Sequence, residues 1–378
     1  MGRHGVCTVI AGLLLALLPA AAAGAAEAPP EVQATSYVLV DPRTGEELAA
    51  RSAGMRMPMA STTKLMTAIV ALQRADPQDA LAVPPEAVIG GSTAGLVAGE
   101  RLAVRDLLTA LLVGSGNDSA ITLAAGVAGG QARFVDLMNA RARQLGLDDT
   151  RFANPHGLDE PGHYSTARDL VVLGRAAMQR ARIRKRVDQR RATIPGPDGV
   201  GTRTLVSKND LLDIDPSADG IKTGFTEGAG NAIVARATRR GVGSLYLALL
   251  GSPTEQQRAA DAKRLLDWGF RQFAYGALVV GGRPQAEVQV TGSGGRSVTL
   301  VAPDSLIAAV KADAPVTRRI VAPPAVRAPV ARGQRLGRVE FRQGGRLIGR
   351  RPLVAARAVD SASPWDRIRF GLSRVLPF

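Results

Sequence analysis

The stretch Pro58-Met59-Ala60-Ser61-Thr62-Thr63-Lys64-Leu65-Met66-Thr67 marks where the chain changes its period. Upstream, residues 36–40 and 46–51 alternate and read as two strands, joined by the turn Asp41-Pro42-Arg43-Thr44-Gly45. From residue 62 to 72 the spacing becomes helical: Leu65, Met66, Ile69 and Leu72 recur on one face. Ser61 falls at the N-cap or first turn of that helix. Further on, residues 102–113, 120–145 and 166–178 read as helices, with Asn154-Pro155-His156-Gly157 as a loop.

Past residue 200 the period returns to two or to continuous apolar runs. Residues 219–223, 232–238 and 244–250 predict three strands, the last two joined at Arg239-Arg240-Gly241. Residues 254–273 predict a final helix ending near Tyr275-Gly276. Hairpin, helical block, three strands and helix together predict an α+β domain over residues 34–276, with an antiparallel sheet built from both ends of the segment. A composition shift follows. Alternation at residues 287–290, 297–301 and 338–342 predicts a small all-β domain, a β-sandwich over residues 282–358.

The two ends differ from this body. Met1-Gly2-Arg3-His4 is basic, Val6 through Leu18 is apolar, and Ala23-Gly24-Ala25 fits a small-x-small cleavage site. Residues 1–25 therefore read as an export signal, an uncleaved anchor being the other reading. Cys7, the one cysteine, lies inside this leader, so the mature chain has no disulfide, thiolate metal site or cysteine nucleophile. At the other end, Trp365, Ile368, Leu372, Val375 and Leu376 share a helical face, with Arg367 and Arg374 off it. Residues 361–378 read as an in-plane membrane anchor. A helix docked on the β domain has the same periodicity.

The net charge is +15, from 48 basic against 33 acidic residues. Export and a shortage of aromatics to stack on bases argue against nucleic acid. Anionic lipid head groups or an anionic wall polymer fit the excess better. His156 and His163 stand seven apart, without the i, i+4 spacing of a zinc helix, and read as loop-packing residues. No metal or other cofactor is expected.

Three short motifs carry candidate chemistry. Ser61 and Lys64 are three apart on a helix and share a face. A neutral lysine amine can take the proton of a serine hydroxyl if burial or a nearby cation lowers its pKa. An N-cap serine before a surface lysine is the plainer reading. Ser115-Gly116-Asn117 breaks a helix, so that a hydroxyl and an amide can project one way; a simple helix cap is its plainer reading. Lys222-Thr223-Gly224 lies on a strand, where Lys222 can hold a carboxylate or lower the pKa of Lys64, and Gly224 leaves room for a substrate backbone. A solvated strand lysine is the alternative there.

Taken together, in this order and on helix, loop and strand, the three resemble the signature of penicillin-binding proteins and serine β-lactamases. The chain looks most like the low-molecular-mass penicillin-binding proteins, the D-alanyl-D-alanine carboxypeptidases. Similar segments are residues 58–67; Ser115-Gly116-Asn117-Asp118, with Gly where class A β-lactamases have Asp; Asn154-Pro155-His156-Gly157-Leu158; His163-Tyr164-Ser165-Thr166; and Asp219-Gly220-Ile221-Lys222-Thr223-Gly224-Phe225-Thr226. The resemblance covers residues 36–273. It implies a β-lactamase/transpeptidase-like fold and removal of the terminal D-alanine from peptidoglycan peptides, with β-lactams as covalent inhibitors.

Carried over by position, Ser61 forms the acyl enzyme, Lys64 is the general base and Ser115 shuttles protons. Asn117, Lys222 and Thr223 bind substrate, and the backbone N–H groups of Ser61 and Phe225 form an oxyanion hole. Many relatives have His at the position of Phe225, which puts any polar role of that side chain in doubt. Arg258 meets the substrate carboxylate or is a surface arginine. The implied location is the periplasm, at the outer face of the inner membrane. A DD-endopeptidase, a serine β-lactamase and a non-catalytic wall-binding scaffold are the alternatives. No Glu-x-x-Leu-Asn segment supplies a deacylating base, so slow β-lactam turnover is expected.

Overall fold

The computed structural model describes residues 27–363. The leader read over residues 1–25 lies outside the described part, as do residues 364–378 of the amphipathic segment read over residues 361–378. The chain divides into two compact units, Ala28–Arg271 and the segment from Gln272 onward.

In the first unit the strands are β1 (Ser36–Asp41), β2 (Glu46–Arg51), β3 (Ala80–Ala82), β4 (Arg101–Ala103), β5 (Arg191–Pro195), β6 (Thr202–Val206), β7 (Ala218–Thr226), β8 (Gly230–Arg239) and β9 (Gly243–Ser252). Its helices are α1 (Lys64–Arg74), α2 (Val104–Leu112), α3 (Asn117–Ala128), α4 (Gln131–Leu145), α5 (Ala167–Met178), α6 (Ala181–Val187), α7 (Leu211–Ile214) and α8 (Glu255–Arg271). The main sheet runs β2-β1-β9-β8-β7 and is antiparallel throughout. Both chain ends of the unit meet in it, as the sequence order predicts.

Every residue of β1 is buried, because helices cover both faces of the sheet. Leu39 and Leu245 face α8, where Gly269 brings the helix backbone close. Val38, Val40, Ala248 and Leu250 face the opposite way and join α1, α2, α3 and α5 in one core with Leu65, Met66, Ile69, Leu107, Leu111 and Leu170. The apolar stripe of α1 is thus the side on which the helical block closes over the sheet. The short hairpins β3-β4 and β5-β6 lie outside the main sheet.

Three sequence expectations change. The helix read over residues 120–145 is two helices, broken at Gly129 and Gly130. Gly129 has φ 75° and receives the end of α3 in the left-handed conformation that glycine adopts without cost. Residue 102 is in β4, and α2 starts at Val104. The last helix stops at Arg271, and Phe273 already begins a strand.

The second unit holds β10 (Phe273–Val279), β11 (Pro284–Thr291), β12 (Ser297–Val301), β13 (Leu306–Lys311), β14 (Val316–Val321), β15 (Ala325–Arg327), β16 (Arg335–Gln343) and β17 (Arg346–Ala355). Six of them form a sheet in the order β14-β16-β17-β12-β11-β15, and β10 pairs with β13. Val288, Val290, Val298, Leu300, Val339, Phe341 and Leu353 form its core. Among the described residues no helix is long and apolar enough to cross a membrane.

Candidate active site

Ser61 sits on a short 3-10 turn, Ala60–Thr63, that leads into α1, and its side chain caps no helix. Ala60 holds φ 48°, a conformation that costs a non-glycine residue about 1–3 kcal/mol. The turn is held from below. Ala153 N–H donates to His163 Nδ1 at 3.0 Å, so a neutral imidazole carries its proton on Nε2 and gives it to Thr63 Oγ1 at 2.8 Å. Thr63 Oγ1 then donates to Ala60 O at 2.8 Å. Burial keeps His163 neutral, with its pKa lowered to about 4. The loop histidine therefore packs, as read, and also ties down the backbone that presents Ser61.

One turn along, Lys64 is fully buried. Its Nζ donates to Ser61 Oγ and to Asn117 Oδ1, both at 2.7 Å. Burial pushes the Lys64 pKa well below its ordinary value; the Lys222 cation adds to this, Asp118 opposes it, and Lys208 lowers it further. Asn117 is the first residue of α3. Its Nδ2 donates to Gly90 O at 3.0 Å, which sets the amide so that its oxygen faces Lys64.

Ser115 has φ 60°, a second strained non-glycine position. Lys222 Nζ donates to Ser115 Oγ at 2.9 Å and to Thr223 O at 2.8 Å. Burial lowers the Lys222 pKa to about 7, with Arg258 and Lys208 as the contributing cations. Two lysines in one desolvated pocket cannot both keep a proton easily, and the Lys222 cation favours the neutral amine of Lys64.

Strand β7 and the serine turn come together at Gly224. A Cβ there would stand 2.6 Å from Ser61 N, closer than real contacts allow, so only glycine lets the strand edge lie against the turn. Ser61, Ser115, Asn117, Thr223, Phe225 and Arg258 line one cleft of about 250 Å³ with Gly91, Ser92, Gly157, Leu158, Lys208, Gly224, Thr226 and Glu255. Phe225 is half exposed at this cleft. Arg258 is buried, so the surface-arginine reading is incorrect. Its guanidinium donates to Lys208 O at 3.1 Å and faces Asp210 at 3.6 Å, and its Nε has no partner among the described residues. Thr223 Oγ1 donates to the same carbonyl at 3.3 Å.

The eight residues singled out from the sequence therefore meet at one place. Two contributors escaped that reading. Lys208 lies in a loop without periodicity, and nothing local marks it. Asp118 follows the Ser115-Gly116-Asn117 motif directly, a signal that was available. It is buried and accepts from Thr93 Oγ1 at 2.5 Å, Ala94 N at 2.9 Å, Leu96 N at 3.1 Å and Ser119 N at 2.8 Å. It thereby clamps residues 93–96, just beyond the Gly90–Ser92 segment against which Asn117 is set: Asn117 N donates to Ser92 O at 2.8 Å.

Comparison with known proteins agrees with this geometry. The family described as D-alanyl-D-alanine carboxypeptidase matches residues 23–254, and the penicillin-binding protein 5 C-terminal domain matches residues 273–361. The chain is 34% identical to D-alanyl-D-alanine carboxypeptidase DacC of Escherichia coli K12 over 366 residues, covering 90% of this chain and 87% of that one. It is 33% identical to DacD of Salmonella typhimurium over 93% of this chain and 94% of that one. Among solved structures, penicillin-binding protein 5 from Haemophilus influenzae superposes with a TM-score of 0.64 at 30% identity, over 89% of this chain and all of that one. The Streptomyces K15 DD-transpeptidase gives 0.62 at 29% identity over 65% of this chain and all of that one. The first match takes in the elements that carry Ser61, Lys64, Ser115, Asn117 and Lys222, and on it the chain belongs to the D-alanyl-D-alanine carboxypeptidase family.

Proposed function

We infer that the protein is a serine-type D-Ala-D-Ala carboxypeptidase that removes the terminal D-alanine from peptidoglycan stem peptides through a Ser61 acyl enzyme. The observation that carries the reading is the 2.7 Å contact between Ser61 Oγ and the fully buried Lys64 Nζ, whose proton affinity burial and Lys222 lower together. A neutral Lys64 takes the Ser61 proton as Oγ attacks the carbonyl between the last two D-alanines. The oxyanion lies between the backbone N–H groups of Ser61 and Phe225, which the close approach of Gly224 brings near one another. Collapse of the tetrahedral adduct breaks the C–N bond. The leaving amine receives its proton from Lys64 by way of Ser115, and Lys222 supports that hydroxyl. Water then attacks the ester, Lys64 again accepts the proton, and Ser61 is restored. Asn117 and Thr223 hold the peptide, and Arg258 sits where the terminal carboxylate arrives. β-Lactams acylate the same serine.

The ends of the chain extend the reading. Residues 1–25 act as an export signal, residues 34–276 as the catalytic domain, residues 282–358 as the small β domain and residues 361–378 as an amphipathic helix. The helix attaches the enzyme to the outer face of the inner membrane from the periplasm. The composition of both ends supports this.

Incubation with a peptide ending in D-Ala-D-Ala should release D-alanine, and the Ser61→Ala variant should lose this activity by on the order of 10⁴-fold or more. The variant should also fail to form a covalent adduct with a fluorescent penicillin. Release of D-alanine at the wild-type rate by Ser61→Ala would remove the serine from the mechanism.

A further inference from the structure

We propose that the outward face of the six-stranded sheet in the second unit is a docking surface for an anionic lipid bilayer, built from arginines on β14, β16 and β17. Residues 272–363 hold fourteen Lys and Arg against five Asp and Glu, and thirteen of the fourteen are arginine. The strand register gathers part of this charge in one place. Arg319 pairs with Glu340, and Glu340 with Arg350, across three neighbouring strands. Arg342 pairs with Thr317, and Arg338 with Pro352. Val339 and Phe341 alternate with these positions and point into the core, so Arg319, Arg338, Arg342 and Arg350 share the opposite face.

The local charge is not balanced. Glu340 is ion-paired with Arg338 at 2.7 Å, and Arg338, Arg342 and Arg319 hold its carboxyl below the ordinary range. Arg319, Arg342 and Arg350 are exposed. Among the described residues neither Arg319 nor Arg350 reaches a carboxylate. Four cations around one carboxylate repel each other in the free protein and suit a surface of closely spaced anions. Arginine, rather than lysine, suits phosphate in particular, because its planar fork binds two oxygens at once.

The open face favours a bilayer over a single strand of polymer. It is one side of a sheet rather than a groove, and none of the paired positions named carries an aromatic side chain on which bases could stack. Beyond Ser363 the sequence combines Trp365, Ile368 and Leu372 with Arg367, Arg369 and Arg374. A basic patch and an amphipathic segment in one chain make up a two-signal arrangement, which holds a protein on a membrane when one signal is too weak. The inference goes beyond the tail anchorage proposed above and does not need it.

The test is co-sedimentation of the full chain with phosphatidylcholine vesicles, with and without phosphatidylglycerol. The Arg319→Gln/Arg342→Gln/Arg350→Gln variant should bind phosphatidylglycerol vesicles roughly tenfold or more weakly than wild type, with a shallower salt dependence. Its release of D-alanine from a soluble peptide should be unchanged. The Arg→Lys triple at the same positions should regain most of the binding, which separates lost charge from lost folding. Wild-type binding that ignores phosphatidylglycerol overturns the proposal. So does an unchanged triple Gln variant when Arg367→Gln/Arg369→Gln/Arg374→Gln abolishes binding, an outcome that leaves the tail anchorage standing. Loss of binding to soluble polyphosphate with vesicle binding intact overturns it in favour of an anionic polymer. Absence of D-alanine release in the wild type bears on the enzymatic reading alone.

Discussion

The two units handle positive charge in opposite ways. Residues 28–271 carry thirty basic residues against twenty-six acidic ones, nearly in balance. Yet three of those cations, Lys64, Lys222 and Arg258, are buried at the cleft. Residues 272–363 carry nearly three basic residues for each acidic one and hold much of the excess on the surface. Desolvation makes the difference. A buried ammonium is destabilised relative to its neutral amine, so it becomes a base within reach of neutral pH. An exposed guanidinium keeps its proton and acts only through its field, which salt screens over about 8 Å at physiological ionic strength. The same sign of charge is thus desolvated in one unit and left in water in the other.

The sharpest way to break this contrast is to remove a buried cation. Lys222→Met should lower the rate of Ser61 acylation by on the order of 10² to 10³. It should also move the acidic limb of the acylation pH profile upward, because Lys64 loses the neighbouring cation that depresses its pKa. Stability gives an independent reading. The folded pKa of Lys222 is about 7 against an ordinary 10.5. Between those values the unfolded chain binds the extra proton, so stability rises with pH, and below about 7 the full penalty of the buried charge is present. Wild-type Tm should therefore climb from about pH 7 to about pH 10, and more steeply than that of Lys222→Met. Parallel Tm profiles would mean that the lysine is not held in a desolvated site.

A smaller effect tests the buried carboxylate that sits among these cations. Asp118→Asn keeps the shape but loses acceptor capacity toward Thr93, Ala94 and Leu96. The segment that sets Asn117 should loosen, and kcat/KM for D-alanine release should fall by about tenfold to a hundredfold. Pre-steady-state acylation by a fluorescent penicillin would show whether the loss is in chemistry or in binding. The smallest effect belongs to the surface. Arg319→Gln with Arg350→Gln should change unfolding free energy in urea by no more than about 0.5 kcal/mol, because neither reaches a carboxylate among the described residues. A loss of several kcal/mol would show that these arginines hold the sheet together rather than face a partner.

Much of the catalytic unit was legible in order and in period. Leu65, Met66 and Ile69 announce α1, and the runs at residues 232–238 and 244–250 announce β8 and β9, because burial on one face leaves a repeat of fixed length in the sequence. The misreadings fall where burial leaves no repeat. Residues 120–145 keep helical spacing straight through Gly129 and Gly130, so periodicity carried the helix past its end. β5 and β6 each bury a single apolar residue, Ile194 and Leu205, which is too little for alternation to register. Arg258 stands among polar neighbours at the start of α8 and looks solvated; the loop of Lys208 and Asp210 covers it from elsewhere in the chain.

The sequence by itself determined which groups are present and how near they stand along one element: the hydroxyl and amine of Ser61 and Lys64 three apart on one face, Ser115 two residues before Asn117, and Lys222 two residues before a glycine. Those are local facts, set by helix and strand geometry. What only the tertiary structure decided is the state of the amines. The proton affinity of Lys64 is low because the helical block removes water from it and because Lys222 and Lys208 approach it from distant segments. Desolvation and Coulomb interaction depend on distance through space, and no pattern along the chain records that distance.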